Sequence, residues 1–362
     1  MVGHVKTGFL QKMEKEIKVQ AGQGLGMITF ERHSALNALS LEMIREMDTA
    51  LSDWTDNENI KAILVTGSGG KAFCAGGDVL AVYKHGLSFK AGLCPIQIPI
   101  LFFKEEYRLN HFIHSYKKPY IAYLNGITMG GGFGVSAPGE LMITSEKTLF
   151  AMPEVHIGLF PDIGSMYYLH KLNGNLGLYL ALTGKRLKAK EMHVFGLATY
   201  HFPTSKYMDF RKALSEFCKS QSHLNDIEGF LSSWHEDPEG EDTLSVHFEE
   251  IHDIFSRPAL SAIIAALKEN KTEWAKEALD SITRASPTSL EIVMKQWERI
   301  KDKSYKQVLE LDFQIVQNVL KKDDFYIGVR EQLIQKTRQP KWAPLIPAST
   351  LLEPSTTTLF EN

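Results

Sequence analysis

Tyr120-Ile121-Ala122-Tyr123-Leu124-Asn125-Gly126-Ile127-Thr128-Met129-Gly130-Gly131-Gly132-Phe133-Gly134 is the stretch on which the reading of this 362-residue chain turns. Its first five residues, Tyr120–Leu124, read as a strand. A glycine-rich loop follows at once. Glycine lets the backbone adopt positive φ and lets a ligand approach a peptide N–H closely. Three glycines at the start of a helix add the positive end of the helix dipole. A junction of this kind suits a phosphate or an oxyanion.

Working outward, a second cluster has the same setting. Gly67-Ser68-Gly69-Gly70-Lys71-Ala72-Phe73-Cys74-Ala75-Gly76-Gly77-Asp78 stands behind Ala62–Thr66, a run too apolar on both faces for a sheet edge. Met27–Phe30 and Leu141–Thr144 read as further strands. Leu41, Ile44, Met47, Leu51 and Trp54 recur at helical spacing, with Ser40 as N-cap, and Lys117-Lys118-Pro119 stops a helix before the Tyr120 strand. Strands alternating with helices predict an α/β fold with parallel pairing. After Phe202 the strands disappear. Asp237-Pro238-Glu239-Gly240-Glu241-Asp242 is a polar break, and Leu290, Val293, Trp297 and Ile300, then Leu309, Phe313, Val316 and Leu320, mark later helices. Four prolines (Pro340, Pro344, Pro347, Pro354) end any further helix, and the tail is rich in serine and threonine. The expectation is an α/β core over 1–202, a helical region over 203–345 and a loose tail over 346–362.

Bulk properties narrow the chemistry. Forty basic against forty-three acidic side chains leave a formal charge of -3, which disfavours nucleic acid as a partner. Cys74, Cys94 and Cys218 are odd in number and far apart, so neither a disulfide framework nor a CxxC metal pair is expected. No apolar run reaches the roughly 18 residues of a membrane span. The N-terminal segment over residues 1–19 lacks a signal core and brings in Glu14 and Glu16 early, so it is weak as a presequence. A cytoplasmic protein is expected, or a mitochondrial or peroxisomal one in a eukaryote.

The phosphate reading of the loops fails a direct comparison. Gly70-Lys71 is followed by Ala72 rather than Ser or Thr, and neither cluster fits GxGxxG. An oxyanion site is favoured, with tight turns as the plain alternative. Carboxylates come next. Phe150-Ala151-Met152-Pro153-Glu154-Val155-His156-Ile157-Gly158-Leu159-Phe160-Pro161-Asp162 holds Glu154 and Asp162 in an apolar stretch, where pKa values of neighbouring acids can be pushed apart. The plain alternative is that Glu154 caps a turn and Asp162 the following helix. Glu106 shares a helical stripe with Phe102, Leu109, Ile113 and Tyr116, which puts a carboxylate on an apolar face. It is then either functional or ion-paired, with Arg108 or a distant lysine. There is no HExxH helix, His111 and His114 read as partly exposed, Gly134-Val135-Ser136-Ala137-Pro138 breaks a GxSxG elbow, and Cys74 reads as a buried loop cysteine. No metal site is expected.

Taken together these residues resemble the crotonase (enoyl-CoA hydratase/isomerase) superfamily. The resemblance lies in Arg32-His33-Ser34-Ala35-Leu36-Asn37-Ala38-Leu39, the Ala72–Asp78 and Gly126–Gly134 loops, and Pro153-Glu154 through Leu182-Thr183-Gly184. It implies a spiral core of ββα repeats. It also implies Gly77 and Gly131 as oxyanion-hole donors, and a coenzyme A contact through Arg32, Ala35, Asn37, Ala38, Ala75 and Asp78. Phe102–Tyr107, Phe150–Glu154, Gly158–Asp162 and Ser286-Pro287-Thr288-Ser289-Leu290 are similar to segments of the 3-hydroxyisobutyryl-CoA hydrolases. That implies Glu154 as the principal catalytic carboxylate, Asp162 as its partner, and Glu106 in the substrate pocket. Gly134 stands where a hydratase is expected to carry a second glutamate. The departures are Gly164-Ser165-Met166, Ile327 before Gly328-Val329-Arg330, and Gln335-Lys336-Thr337.

The resemblance therefore implies hydrolysis of a short branched 3-hydroxyacyl-CoA in valine catabolism, with an acyl-CoA substrate and no cofactor beyond the coenzyme A it carries. An enoyl-CoA isomerase or hydratase, or a non-catalytic interaction protein of the same fold, is the alternative. Whether the chain forms a homo-oligomer stays open.

Overall fold

The computed structural model describes residues 15–95, 97–220, 226–354 and 357–360. The segment read for targeting therefore lies mostly outside the described residues. Among the described residues, ten strands form two sheets. The first holds β1 (Ile17–Gly22), β2 (Gly24–Phe30), β3 (Ile60–Gly67), β5 (Tyr120–Leu124), β7 (Glu140–Thr144) and β10 (Tyr200–His201), in that spatial order. The second holds β4 (Ala72–Cys74), β6 (Ile127–Met129), β8 (Leu149–Ala151) and β9 (Leu187–Lys188). Pairing is parallel except at the margins, β1 with β2 and β8 with β9.

The two sheets are laid down together. Each long interior strand hands the chain to a short strand of the other sheet: β3 to β4, β5 to β6, β7 to β8. Helices then return the chain, through α2 (Val79–Lys90) and α3 (Gln97–His114) before β5, and through the short α4 (Gly131–Gly134) before β7. This is the expected spiral of ββα repeats. The register of the second sheet, Ala72 opposite Ile127 and Ile127 opposite Leu149, aligns the C-terminal ends of β4, β6 and β8.

The unbroken apolar runs have a physical cause. Ile63 and Val65 of β3 face the main core, while Ala62 and Leu64 face a second cluster with Ile121, Tyr123 and Ile143. That outer face is covered by the helices Tyr207–Ser220 and Ile227–Trp234, which supply Phe210, Leu214 and Leu231. Helix α1 (Leu41–Thr55) buries Ile44, Met47, Leu51 and Trp54, and its N-cap Ser40 accepts from the Met43 N–H at 3.2 Å.

The C-terminal helices share the main core with the sheets, so the change at residue 202 marks a change of secondary structure rather than of core. Helix Tyr305–Val319 packs on α3. The tail corrects an expectation. Ala348–Leu351 forms a short helix, and Leu351, Leu352 and Leu359 are buried. Arg108 Nε donates to the Leu359 carbonyl at 2.8 Å, and Asn318 Nδ2 to that of Leu351 at 3.1 Å. Its few leucines, not its serines and threonines, decide its fate, because burying each stabilises by about 1.5–3 kcal/mol.

Candidate active site

Gly77, Gly131 and Glu154 lie just beyond the C-terminal ends of β4, β6 and β8. Parallel strands ending in register thus bring three segments to one spot, the usual place for a site in an open parallel sheet. A Cβ on Gly131 would collide with Glu106 Oε1 and would sit 3.0 Å from the Gly77 nitrogen. One on Gly130 would lie 2.8 Å from Glu154 Oε1, and one on Gly77 3.5 Å from Glu106 Oε1. The two loops and two carboxylates therefore meet at one spot. Neither the Gly77 nor the Gly131 N–H has an acceptor among the described residues. Gly131 opens α4, so its N–H belongs to the unsatisfied first turn of a helix.

Glu106, Glu154 and Asp162 are all buried, at 2%, 5% and 4% exposure. None has an ion-pair partner among the described residues, which removes Arg108 or a lysine as counter-charge for Glu106. Glu106 Oε1 and Glu154 Oε2 have no hydrogen-bond partner among the described residues. Unpaired buried carboxylate oxygens are costly and rare, and they mark a place built for something else. Burial first, then the negative charge of Asp162, holds the Glu106 and Glu154 carboxyls well above the usual carboxylate range. Burial raises Asp162 to about 7, with the Tyr107 hydroxyl holding it back.

Asp162 does not cap a helix. The helix Ser165–Leu169 has Gly164 at its N-cap with no side-chain cap, and the carboxylate of Asp162 instead accepts the Tyr107 hydroxyl at 2.5 Å. Glu154 opens the 3₁₀ turn Glu154–Ile157 without a side-chain cap bond. Tyr107 was missed in sequence because Glu106, one residue before it, drew the stripe; Phe103, Tyr107 and Asn110 form an adjacent stripe that is equally buried. Of the predicted stripe, Phe102, Glu106, Leu109 and Ile113 are buried, while Tyr116 lies past the end of α3. Cys74 is fully buried with its thiol pushed up to about 12, which suits packing rather than nucleophilic work.

The segment expected at coenzyme A is zipped onto the first glycine loop. Leu39 N–H donates to Gly76 O at 2.8 Å, Ala75 N–H to Leu36 O at 3.1 Å, and Asp78 N–H to Leu39 O at 2.8 Å. Arg32 joins Glu16 (2.8 Å), the Ala38 carbonyl (3.0 Å) and Asp78 (2.6 Å). Asn37, buried and at φ 58°, donates to the carbonyls of Ser68 and Ala72. Arg32 and Asn37 thus fasten the loop. Ala35, Ala38 and Ala75 stay half-exposed beside it. Among the described residues no group of side chains could hold a metal ion, and no helix is long and apolar enough to cross a membrane.

Residues 25–350 match the enoyl-CoA hydratase/isomerase family. The mitochondrial 3-hydroxyisobutyryl-CoA hydrolase of Danio rerio is 40% identical over 94% of this chain and 88% of its own length. The human mitochondrial 3-hydroxyisobutyryl-CoA hydrolase is 39% identical over 94% and 87%. Among solved structures, a carnitinyl-CoA dehydratase from Mycobacterium thermoresistibile superposes with a TM-score of 0.86 at 30% identity, over 96% of this chain and 98% of that one. An enoyl-CoA hydratase from Rhodobacter sphaeroides 2.4.1 gives 0.84 at 30%, over 94% and 98%. With the spiral of ββα repeats and three buried acids around paired glycine loops, these likenesses identify the chain as a member of the enoyl-CoA hydratase/isomerase family, on its 3-hydroxyisobutyryl-CoA hydrolase branch.

Proposed function

We propose that the protein hydrolyses a short branched 3-hydroxyacyl-CoA thioester, 3-hydroxyisobutyryl-CoA, to the free acid and coenzyme A. One observation carries the reading at the level of chemistry: two uncommitted N–H groups, on Gly77 and Gly131, lie beside the uncommitted Oε1 of Glu106, with the buried Glu154 carboxyl against the adjoining Gly130. The names of the relatives support the acyl group. Negative charge develops on the thioester oxygen as the carbonyl carbon becomes tetrahedral. The Gly77 and Gly131 N–H groups are placed to receive it, each such donor contributing on the order of 3 kcal/mol. Glu154, once ionised, acts by one of two balanced routes. In one, its oxygen bonds to the carbonyl carbon, the C–S bond breaks, the thiolate leaves and takes a proton, and water opens the mixed anhydride. In the other, Glu154 takes a proton from water as that water adds, and returns it to the leaving thiolate. Asp162 orients the water or the substrate hydroxyl, and Glu106 lines the acyl pocket. The half-exposed Ala35, Ala38 and Ala75 edge, braced by Arg32, Asn37 and Asp78, is the proposed seat of the coenzyme A portion. Nothing in this scheme calls on a metal or a further cofactor.

The solved relatives named as a hydratase and a dehydratase raise enoyl hydration as the second reading. Gly134 weighs against it. A Cβ there would lie 3.1 Å from Ile163 Cβ and 3.2 Å from Asn110 Nδ2, so any side chain at this position would have to push both aside. Thiol release across a panel of short acyl-, 3-hydroxyacyl- and enoyl-CoA thioesters separates the two. The hydrolase reading requires free thiol from the 3-hydroxyacyl members and its loss in Glu154→Ala; hydration of the enoyl members without thiol release would overturn it. Oxygen-18 water in a single turnover distinguishes the two Glu154 routes, because only the anhydride route puts label into the protein carboxylate. The mitochondrial relatives support a mitochondrial location in preference to the cytoplasmic one expected above.

A further inference from the structure

Asp162 opens a turn that its own residues do not favour. The Ser165 N–H donates to the Asp162 carbonyl at 2.9 Å, and both central residues have positive φ, Ile163 at 57° and Gly164 at 71°. Positive φ at both central positions marks a type I′ turn, which ordinarily takes Asn-Gly. A β-branched isoleucine in the left-handed region is an outlier, and such strain persists only where the surroundings over-determine it.

The surroundings come from the C-terminal helices. Asp312, fully buried on helix Tyr305–Val319, accepts the Gly164 N–H at 2.8 Å. The Tyr305 hydroxyl donates to the Ile163 carbonyl at 3.0 Å. Gln296 Nε2, on helix Pro287–Arg299, donates to the Pro161 carbonyl at 3.3 Å and to Asp312 at 2.5 Å. The Pro161, Ile163 and Gly164 backbone groups flank Asp162, and none of the three side chains hydrogen-bonds to it among the described residues. The isoleucine side chain is itself buried in the main core, and the three polar side chains fix the backbone on either side of it.

We infer that Asp312, with Tyr305 and Gln296, is a positioning residue: it locks the Asp162–Ser165 turn from the C-terminal region and so aims the Asp162 carboxylate into the thioester site. This rests on the reading that Asp162 works in thioester hydrolysis.

The test is a double-mutant cycle on thiol release from 3-hydroxyisobutyryl-CoA with full-length protein. Asp312→Ala should lower kcat about 30-fold while KM moves less than about 3-fold, since misplacement of a reacting group acts on the chemical step. Made in an Asp162→Asn background, the same change should lower kcat less than about 3-fold, because the group it aims is already gone. Asp312→Asn keeps an acceptor for the Gly164 N–H and should recover kcat to within about 5-fold of the parent. Tyr305→Phe deletes one hydroxyl and keeps the ring, so it carries the same cycle should Asp312→Ala not fold; about a 5-fold loss, again absent in the Asp162→Asn background, is expected. Losses of equal size in both backgrounds, or kcat unmoved by Asp312→Ala and Tyr305→Phe while Asp162→Asn is slow, would overturn the inference. An Asp162→Asn variant as fast as the parent is a different result: it overturns the role given to Asp162 in the site, and the inference with it.

Discussion

The two loops that build the site are held by opposite means. The Gly126–Gly134 loop takes its turns from near neighbours, although β6 within it pairs with β4 and β8: Gly126 N–H donates to Leu124 O, and Phe133 and Gly134 N–H to Gly130 O. Its unusual dihedrals, φ 110° at Gly126 and 46° at Gly130, fall on residues that carry no Cβ to resist them. The Pro161–Gly164 turn puts an isoleucine where glycine or asparagine belongs and is tied to partners 135, 142 and 148 positions away. One loop is shaped by its composition, the other by its context. A glycine loop can present backbone N–H groups from any scaffold with the right strand before it. A carboxylate that must point in one direction needs a wall behind it.

Substitutions at the two loops can break that contrast. The largest effect is expected from Gly131→Ala. The φ of Gly131 is not positive, so alanine is allowed there, yet its Cβ would collide with Glu106 Oε1 and crowd the Gly77 N–H. A loss of roughly 10³-fold in kcat/KM for thiol release, with little change in the urea midpoint, is expected because the variant spoils an oxyanion site rather than a fold. Gly164→Ala should do the reverse. Its φ of 71° and the Tyr305 ring against it predict destabilisation by about 3 kcal/mol in urea unfolding, from left-handed strain and overpacking together. If Gly131→Ala proves the more destabilising of the two, the distinction between the loops is wrong.

The smallest effect sharpens the electrostatic side. Burial pushes the Asp162 carboxyl up to about 7 in the folded chain, against 3.8 as its ordinary value. The folded state therefore holds the proton that the unfolded chain has released, and stability falls as pH rises from about 4 through about 7. Asp162→Asn, which can still accept from Tyr107, should flatten that decline. The full rise would be worth ~4 kcal/mol, and less than that is expected, because Glu106 and Glu154 are raised by burial too and go on titrating in the variant. Urea unfolding of parent and variant at pH 5 and pH 8 measures it. A variant no more stabilised at pH 8 than at pH 5 would remove Asp162 as the titrating group.

What could be read in the sequence follows the same division. The interior strands were legible because Ala62–Val65 and Tyr120–Leu124 bury both faces, and a run of that kind has few other homes. The two glycine clusters and Glu106 were legible too, since glycine clusters behind strands and an acid on an apolar stripe violate local expectations; Gly77 and Gly131 within the clusters came only from the family resemblance. Asp312 gives the same signal as Glu106, lying among buried Val308, Leu309, Ile315 and Val316, and it could have been found that way. Asp162 was open to misreading as a helix cap because its true partner, Tyr107, is 55 positions away. The short strands β4, β6 and β8 carry too few residues for periodicity to register, and the tail leucines are too sparse to outweigh their polar neighbours.

The 148-residue separation between Gly164 and Asp312 also has a meaning in time. Ribosomes add about 5–20 residues per second, so a nascent chain that has completed both glycine loops and Glu154 waits on the order of ten seconds for the residue that secures its last carboxylate. During that interval the residues of the floor have been synthesised and those of the wall have not. The emerging polypeptide acquires its competence late, as the closing act of its own synthesis.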